Sequence, residues 1–144
     1  MYKRQVFLDE AVKDVRSLGL IGELPAEYSP EEFAAFVRER LGCTGVRFAC
    51  GGHPIRNVAV CGGAGGSLWS HVVGGHADAF VTGDVKHNLL IDAKEAGITI
   101  VDAGHFATEN VVVEPLAQRL SQQFPDVQFT VSRTCKDPAE YCFG

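Results

Sequence analysis

The order of apolar and polar positions along the chain predicts helices that alternate with short strands. The clearest helix signal begins at Ser29, a favourable N-cap, with Pro30 at the first helical position and Glu32 completing a capping box. Gly42 ends this helix, because glycine is the usual residue just beyond a helix C-terminus. The apolar stripe of the helix comprises Phe33, Phe36, Val37 and Leu41.

The segments around this helix carry weaker patterns. Residues 6–17 can form a short helix, and residues 19–25 have the composition of a linker or an extended segment. Two β-branched or apolar runs, residues 46–49 and 57–61, flank the GGHP turn at residues 51–54 and therefore predict strands.

From residue 58 onward a pattern repeats three times: a short apolar run, a glycine-bearing turn and a helical segment. A further apolar run at residues 127–131 predicts a last strand. Strands that alternate with helices at this spacing predict an α/β fold with a mostly parallel sheet and helices on its faces. The repeats comprise strands 58–61, 79–81 and 98–101, turns 62–66, 82–84 and 102–104, and helices 67–73, 86–96 and 105–124.

Composition and charge narrow the class of protein. The chain has 144 residues, of which 46% are apolar and 22% are charged, and these values are typical of one globular domain. Its longest apolar runs are far shorter than the roughly 20 residues that cross a bilayer, so a membrane span is excluded. Eighteen acidic and 13 basic side chains give a net charge of −5. The basic residues are scattered, which argues against nucleic acid as a partner.

The cysteines indicate a reduced environment. Their number is odd, no signal peptide precedes them and no CxxC spacing occurs, so a disulfide framework or a zinc knuckle is disfavoured. We therefore expect a cytoplasmic protein with free thiols. The five are Cys43, Cys50, Cys61, Cys135 and Cys142.

The first five residues are expected to be foreign to the natural protein. Residues 1–5 have no periodicity that links them to the rest of the chain, and their back-translation fits the end sequence of a transposon used to prepare sequencing libraries. We divide the remaining residues into a linker or helix from an upstream half (residues 6–28) and a carboxyl-terminal α/β domain (residues 29–144). A shortened chain of this kind is expected to expose apolar surface and to self-associate.

The three glycine-bearing turns are expected to meet in space. In open α/β sheets, ligand sites lie beyond the carboxyl ends of the parallel strands, where each strand turns into its helix. The glycine loop at residues 62–66, Asp84 and residues 102–109 all follow predicted strands. The sequence therefore predicts a functional site at this edge of the sheet.

His105 and Glu109 are the strongest candidates for metal ligands. In a helix, their spacing of four residues places both side chains on one face, where an imidazole and a carboxylate can bind a divalent cation. Asp102 is a candidate to orient the imidazole. A structural alternative is a helix N-terminus capped by Thr108 or Asp102, at which the helix dipole favours Glu109.

Two further features at the same edge are candidates for chemistry. The glycine loop follows a strand and opens a helix, so the backbone N–H groups of Gly62, Gly63, Gly65 and Gly66 are candidates for phosphate contacts. Glycines that simply allow a tight turn and close packing are the alternative. His87 is a candidate general acid or base, although an exposed helix start explains it equally well.

Three ordered motifs carry a resemblance to a known family. They are VAVCGGAGG at residues 58–66, ADAFVTGDVKH at residues 77–87 and DAGHFATE at residues 102–109. In this order they resemble the motifs of the Nif-three-like dinuclear-metal-centre hexameric proteins, many of which are named type-2 GTP cyclohydrolase I homologues. The resemblance extends from residue 19 to residue 143 and corresponds to the carboxyl-terminal portion of a two-domain family fold.

The resemblance implies a site that this chain supplies only in part. In the family, a histidine pair and an aspartate of the amino half join the histidine and glutamate of a GH(F/Y)xTE motif to hold two divalent ions, which are zinc, manganese or iron. By resemblance, His105 and Glu109 are expected to be two of these ligands. The chain contains no adjacent pair of histidines, so it is expected to bind metal weakly and to be inactive alone.

The same resemblance implies a function and an assembly. The full-length protein is expected to be a hydrolase-like hexamer, homologous to GTP cyclohydrolase I type 2, with a nucleotide or another phosphoester as its ligand. The alternative is a non-catalytic module in which metal ions stabilise an oligomer that regulates or binds a partner. A third possibility is a phosphate binder that uses the glycine loop without metal.

Overall fold

Six strands form one mixed sheet in the computed structural model, which describes residues 5–7 and 18–142. The strands are β1 (Gln5–Phe7), β2 (Leu20–Tyr28), β3 (Arg47–Ala49), β4 (Ile55–Val60), β5 (Ala79–Thr82) and β6 (Thr99–Asp102). Their order across the sheet is β1-β2-β4-β5-β6-β3. The central strands β4, β5 and β6 are parallel, whereas the outer strands pair antiparallel with their neighbours. The predicted α/β class with a parallel core is thus confirmed.

Helices cover both faces of the parallel core. They are α1 (Pro30–Leu41), α2 (Trp69–Gly74), α3 (His87–Glu95), α4 (His105–Asn110) and α5 (Val113–Gln123), and a 3₁₀ turn at Gly65–Leu68 precedes α2. Helices α2 and α3 pack on one face against side chains such as Phe80 and Ile100. Helix α1 packs on the other face against Val58 and Val101. Every residue of β5 and β6 is buried, as expected for parallel strands covered on both sides.

The start of α1 agrees with the prediction from sequence. The Ser29 hydroxyl accepts a hydrogen bond from the Glu32 N–H, and the Glu32 carboxylate accepts one from the Ser29 N–H. This bond from the backbone is the main cause of a lowered pKa at Glu32. Gly42 ends the helix in the left-handed conformation, which glycine adopts at no steric cost.

Three predicted elements differ from the structure, whereas residues 19–25 take the extended one of their two predicted forms. Residues 19–25 belong largely to β2, and the single helix predicted over residues 105–124 is divided into α4 and α5. The helix predicted over residues 6–17 is wrong at its start, because β1 ends at Phe7, and the remainder of that prediction lies outside the described residues. The strand predicted at residues 127–131 is absent, since these residues belong to no strand.

The missing strand has a physical cause. A further strand after β6 would extend the sheet beside β6, but β3 already occupies that place through antiparallel pairing. Val127 and Val131 therefore remain exposed to solvent. The β-propensity of a β-branched run depends on the packing and burial that its site offers, so such a run need not form a strand.

The described residues contain no helix with the length and apolar character needed to span a membrane. All five cysteines have free thiols, as predicted. Burial raises the pKa of the Cys43 thiol, and burial followed by the negative charge of Glu109 raises that of Cys61. These two thiols are thus held in the protonated, weakly nucleophilic form at neutral pH.

Candidate metal centre

The three turns meet at the carboxyl edge of the parallel core, as the sequence predicts. Residues 61–66 leave β4, Gly83 and Asp84 leave β5, and Ala103 and Gly104 leave β6. A Cβ atom on Gly83 would lie 2.8 Å from the backbone of Gly104, so the second and third turns touch through their main chains. Glycine is required at this point of contact.

His105 lies between two carboxylates. Its Nδ1 is 2.6 Å from Oδ2 of Asp84, and its Nε2 is 3.3 Å from Oε2 of Glu109. Asp84 reaches the ring from a left-handed backbone conformation with φ of 55°, which aspartate tolerates better than most residues. The ring is therefore held at both nitrogens, and all three side chains are accessible to solvent.

Thr108 joins α4 to the glycine loop. Its hydroxyl accepts a hydrogen bond from the Gly63 N–H at 2.9 Å and donates to the Gly104 carbonyl at 2.8 Å. Gly63 has φ of 64°, and a Cβ atom there would lie 2.5 Å from Oε1 of Glu109. The absence of a side chain at Gly63 thus makes room for the carboxylate of Glu109.

A buried threonine fixes the loop to the end of β5. The Thr82 hydroxyl donates to the Gly63 carbonyl at 2.9 Å and accepts from the Gly65 N–H at 2.8 Å. The N–H groups of Gly63 and Gly65 are thus bonded within the protein, which favours the tight-packing explanation for these two glycines. The phosphate contact predicted for Gly62, Gly63, Gly65 and Gly66 remains a prediction.

Asp102 has a different partner from the one expected. Its side chain, 7% exposed, accepts hydrogen bonds from Nη2 of Arg47 at 2.5 Å, and from the N–H groups of Val85 and Gly104 at 3.2 Å each. Asp102 therefore links β3 to the turns that follow β5 and β6. Asp84, instead of Asp102, orients the His105 ring. Sequence reasoning placed Asp84 at this edge but did not pair it with His105, and it missed Arg47.

His105 and Glu109 line a cleft of about 1140 Å³. Asp84, Arg47 and Asp102 contribute to the same walls. His87 is exposed at the first position of α3 and is not among the residues that line this cleft. A role for His87 as a general acid or base stays a prediction.

The geometry fits part of a metal site. The Nε2 atom of His105 and the carboxylate of Glu109 face each other, while Asp84 holds the opposite ring nitrogen, which is the usual arrangement behind a ligating histidine. Within the part of the chain that the structure describes, no group of three or more side chains is arranged to hold an ion. The described residues therefore bring together two candidate ligands and a carboxylate that orients the ring.

The electrostatics of His105 predict how stability and metal affinity depend on pH. The hydrogen bond to Asp84, followed by the charge of Glu109, raises the pKa of His105 above its ordinary value of 6.5. The protonated ring stabilises the folded state fully below pH 6.5, and this stabilisation is lost as the pH rises through the raised pKa of His105. Metal binding needs the deprotonated ring, so it should strengthen over that same range.

Measurements of zinc affinity and of metal-free unfolding, at several values from about pH 6 to about pH 8, would check these opposite trends. A His105→Asn variant provides the control, because its stability and residual affinity should lose most of this dependence. A zinc affinity that is flat across the range in the unmodified chain would contradict the prediction.

Comparisons with known proteins identify the family of this chain and several of its relatives. Residues 4–138 match the sequence model of Duf34/NIF3 (NGG1p interacting factor 3). The GTP cyclohydrolase 1 type 2 homolog of Bacillus subtilis is 35% identical over 118 residues, which cover 81% of this chain and 31% of that protein. The protein of the same name from Pseudomonas aeruginosa is 36% identical over 125 residues, covering 86% of this chain and 48% of that protein.

A solved structure shares the fold. The crystal structure of Staphylococcus aureus protein SA1388 superposes with a TM-score of 0.81 at 32% identity, covering 88% of this chain and 43% of that chain. The chain thus spans between about a third and a half of the length of these three proteins.

Proposed function

Since the chain belongs to the Duf34/NIF3 family, as its three motifs predict, we propose that it supplies part of a two-metal centre in a hydrolase-like protein. The observation that carries this proposal is the convergence of Asp84, His105 and Glu109 in one cleft at the carboxyl edge of the sheet. This edge is where open α/β sheets bind their ligands.

The roles of the three side chains follow from their contacts. His105 would ligate through Nε2 and Glu109 through its carboxylate, while Asp84 accepts a hydrogen bond from Nδ1–H and so fixes the tautomer of the ring. Gly63 leaves space beside Glu109, and Thr108 ties the first turn of α4 to the loop. Divalent ions at such a centre would supply a water of lowered pKa as the nucleophile.

Two ligands leave the centre incomplete. The remaining ligands would come from a part of the protein outside this chain, for which the family resemblance implies a histidine pair and an aspartate. We therefore propose zinc, manganese or iron as the metal, weak metal binding by this chain alone, and no turnover without the missing ligands.

The ligand we propose is a nucleotide or another phosphoester. Support comes from the names of the similar proteins, which are GTP cyclohydrolase 1 type 2 homologs, and from a cleft of about 1140 Å³. This volume is large enough for a small-molecule ligand.

The proposal is tested by metal titration of single variants. His105→Ala and Glu109→Gln should each weaken zinc or manganese binding by about tenfold or more. The matched control is His87→Ala, which removes an exposed imidazole outside the cleft and should leave the affinity unchanged. Equal affinity in the unmodified chain and in the double variant of His105 and Glu109 would show that the proposed ligands are wrong.

One observation favours oligomerisation, which the second candidate function, an oligomeric module without catalysis, requires. Helix α5 has no buried residue, although Val113, Leu116 and Phe124 form an apolar stripe along it and its end. Val111 and Val112 extend this surface toward α4. Exposed apolar patches of this kind mark protein interfaces, and in the intact protein a homo-hexamer is the assembly we propose.

The exposed stripe predicts that the isolated chain self-associates. We expect light scattering to give a mass above that of a monomer and rising with protein concentration, because burial of the stripe is favourable. A Leu116→Glu variant should shift the population toward monomer, whereas Glu114→Gln, on the same helix, should not. A monomeric chain at all concentrations would contradict the prediction.

A further inference from the structure

Arg47 is held in place by hydrogen bonds to Asp102 and Val85. In the antiparallel pairing of β3 with β6, Arg47 lies opposite Asp102. Its Nη2 atom donates both to the Asp102 carboxylate at 2.5 Å and to the Val85 carbonyl at 2.9 Å. Two acceptors on one terminal nitrogen fix the plane of the guanidinium, so little conformational entropy remains to be lost when a ligand binds.

The rest of the guanidinium is available. Nε and Nη1 of Arg47 make no hydrogen bond within residues 18–142, and the side chain is 63% exposed. Arg47 is also the only lysine or arginine among the described residues that line the cleft. Among the described residues, the cleft therefore contains one permanent cation, whose Nε and Nη1 donors have no partner there.

Arg47 is close to the proposed metal ligands. The carboxylate that anchors it also accepts a hydrogen bond from the Gly104 N–H, and Gly104 immediately precedes His105. Four carboxylates of the described residues line the cleft. Asp102 is paired with Arg47, Asp84 and Glu109 both contact His105, and Asp137 lies in the same wall. The carboxylate nearest the guanidinium, that of Asp102, is neutralised by Arg47 itself.

We propose that Arg47 binds an oxyanion of the ligand, a phosphoryl or a carboxylate group, through Nε and Nη1 while Asp102 holds Nη2. Guanidinium groups bind such oxyanions through two parallel N–H donors. This inference rests on the proposed function only in taking the cleft as the ligand site, and it does not require a bound metal. It assigns to the ligand an anionic group on the β3 side of His105.

The test follows the Nε–Hε signal of Arg47 by NMR during titration with inorganic phosphate, and separately with acetate, at low salt. A saturable shift is expected at Arg47. Arg56, whose Nε is already engaged by Glu23, is the internal control and should not shift saturably. Tighter binding of phosphate would assign a phosphoryl group, and tighter binding of acetate a carboxylate.

Arg47→Lys separates anion binding from structural support. A lysine can still pair with Asp102, so the fold should persist in a thermal melt, but it offers no second pair of planar donors. We expect anion affinity to fall by about tenfold or more, while zinc affinity at His105 is retained. The inference is overturned if Arg47→Lys binds phosphate and acetate as tightly as the unmodified chain, or if Arg47 shifts no more than Arg56.

Discussion

Replacing Gly83 with alanine is expected to lower the free energy of unfolding by about 1–3 kcal/mol, the usual cost of overpacking. The added Cβ would lie 2.8 Å from the carbonyl carbon and oxygen of Gly104 and from the His105 nitrogen. These are main-chain atoms of the turn between β6 and α4, so no side-chain rotation can relieve the contact. The start of α4 must shift, and the proposed metal affinity should fall with it.

Gly74→Ala is the matched control for this variant. No atom lies within 4 Å of a Cβ at Gly74, which is in α2, so the same change there should be neutral or slightly stabilising. Thermal unfolding of the two variants, together with a metal titration of each, measures both effects. Identical melting temperatures would mean that the turns after β5 and β6 are less closely packed than we describe.

Asp84→Asn is expected to weaken metal binding by about 10-fold, because the group behind a ligating histidine sets its orientation and basicity. Asparagine suits this position, since it tolerates the left-handed conformation of residue 84 and its amide oxygen can still accept a hydrogen bond from Nδ1–H. The fold should therefore be kept, and the loss should come from the missing negative charge.

The control for this second variant is Asp92→Asn, which changes the same charge on the exposed surface of α3. Manganese or zinc titrations of both variants, alongside circular dichroism to verify the fold, give the comparison. If the two variants bind metal equally well, Asp84 has no part in orienting the ring.

The sequence predicted the positions of the turns well but not the contacts between them. Short apolar runs followed by glycines identify where β4, β5 and β6 end, because both features act locally. The partner of His105 depends instead on strand register. Thr82 pairs with Asp102 across β5 and β6, so two residues later Asp84 comes level with Gly104 and next to His105. Asp102 is nearer to His105 in sequence, but the prediction that it orients the imidazole was wrong for this reason.

The pairing of the outer strands could not be predicted from local sequence either. Residues 46–49 and 19–25 have patterns of extended chain. Neither pattern indicates that β2 pairs antiparallel with β4, or that β3 pairs antiparallel with β6. That arrangement arises from competition for sheet edges, which involves the whole chain. The strand predicted at residues 127–131 failed because β3 occupies the place beside β6.

The shortness of α4 links metal affinity to folding. An isolated helix of six residues is not stable in water, so the spacing that brings His105 to Glu109 persists only while Thr108 is tied to Gly63 and Gly104 is bonded to Asp102. The tie from Thr108 joins segments 45 residues apart, and it exists only after β4, β5 and β6 have assembled. We therefore expect the proposed ion-binding geometry to be among the last features to form during folding.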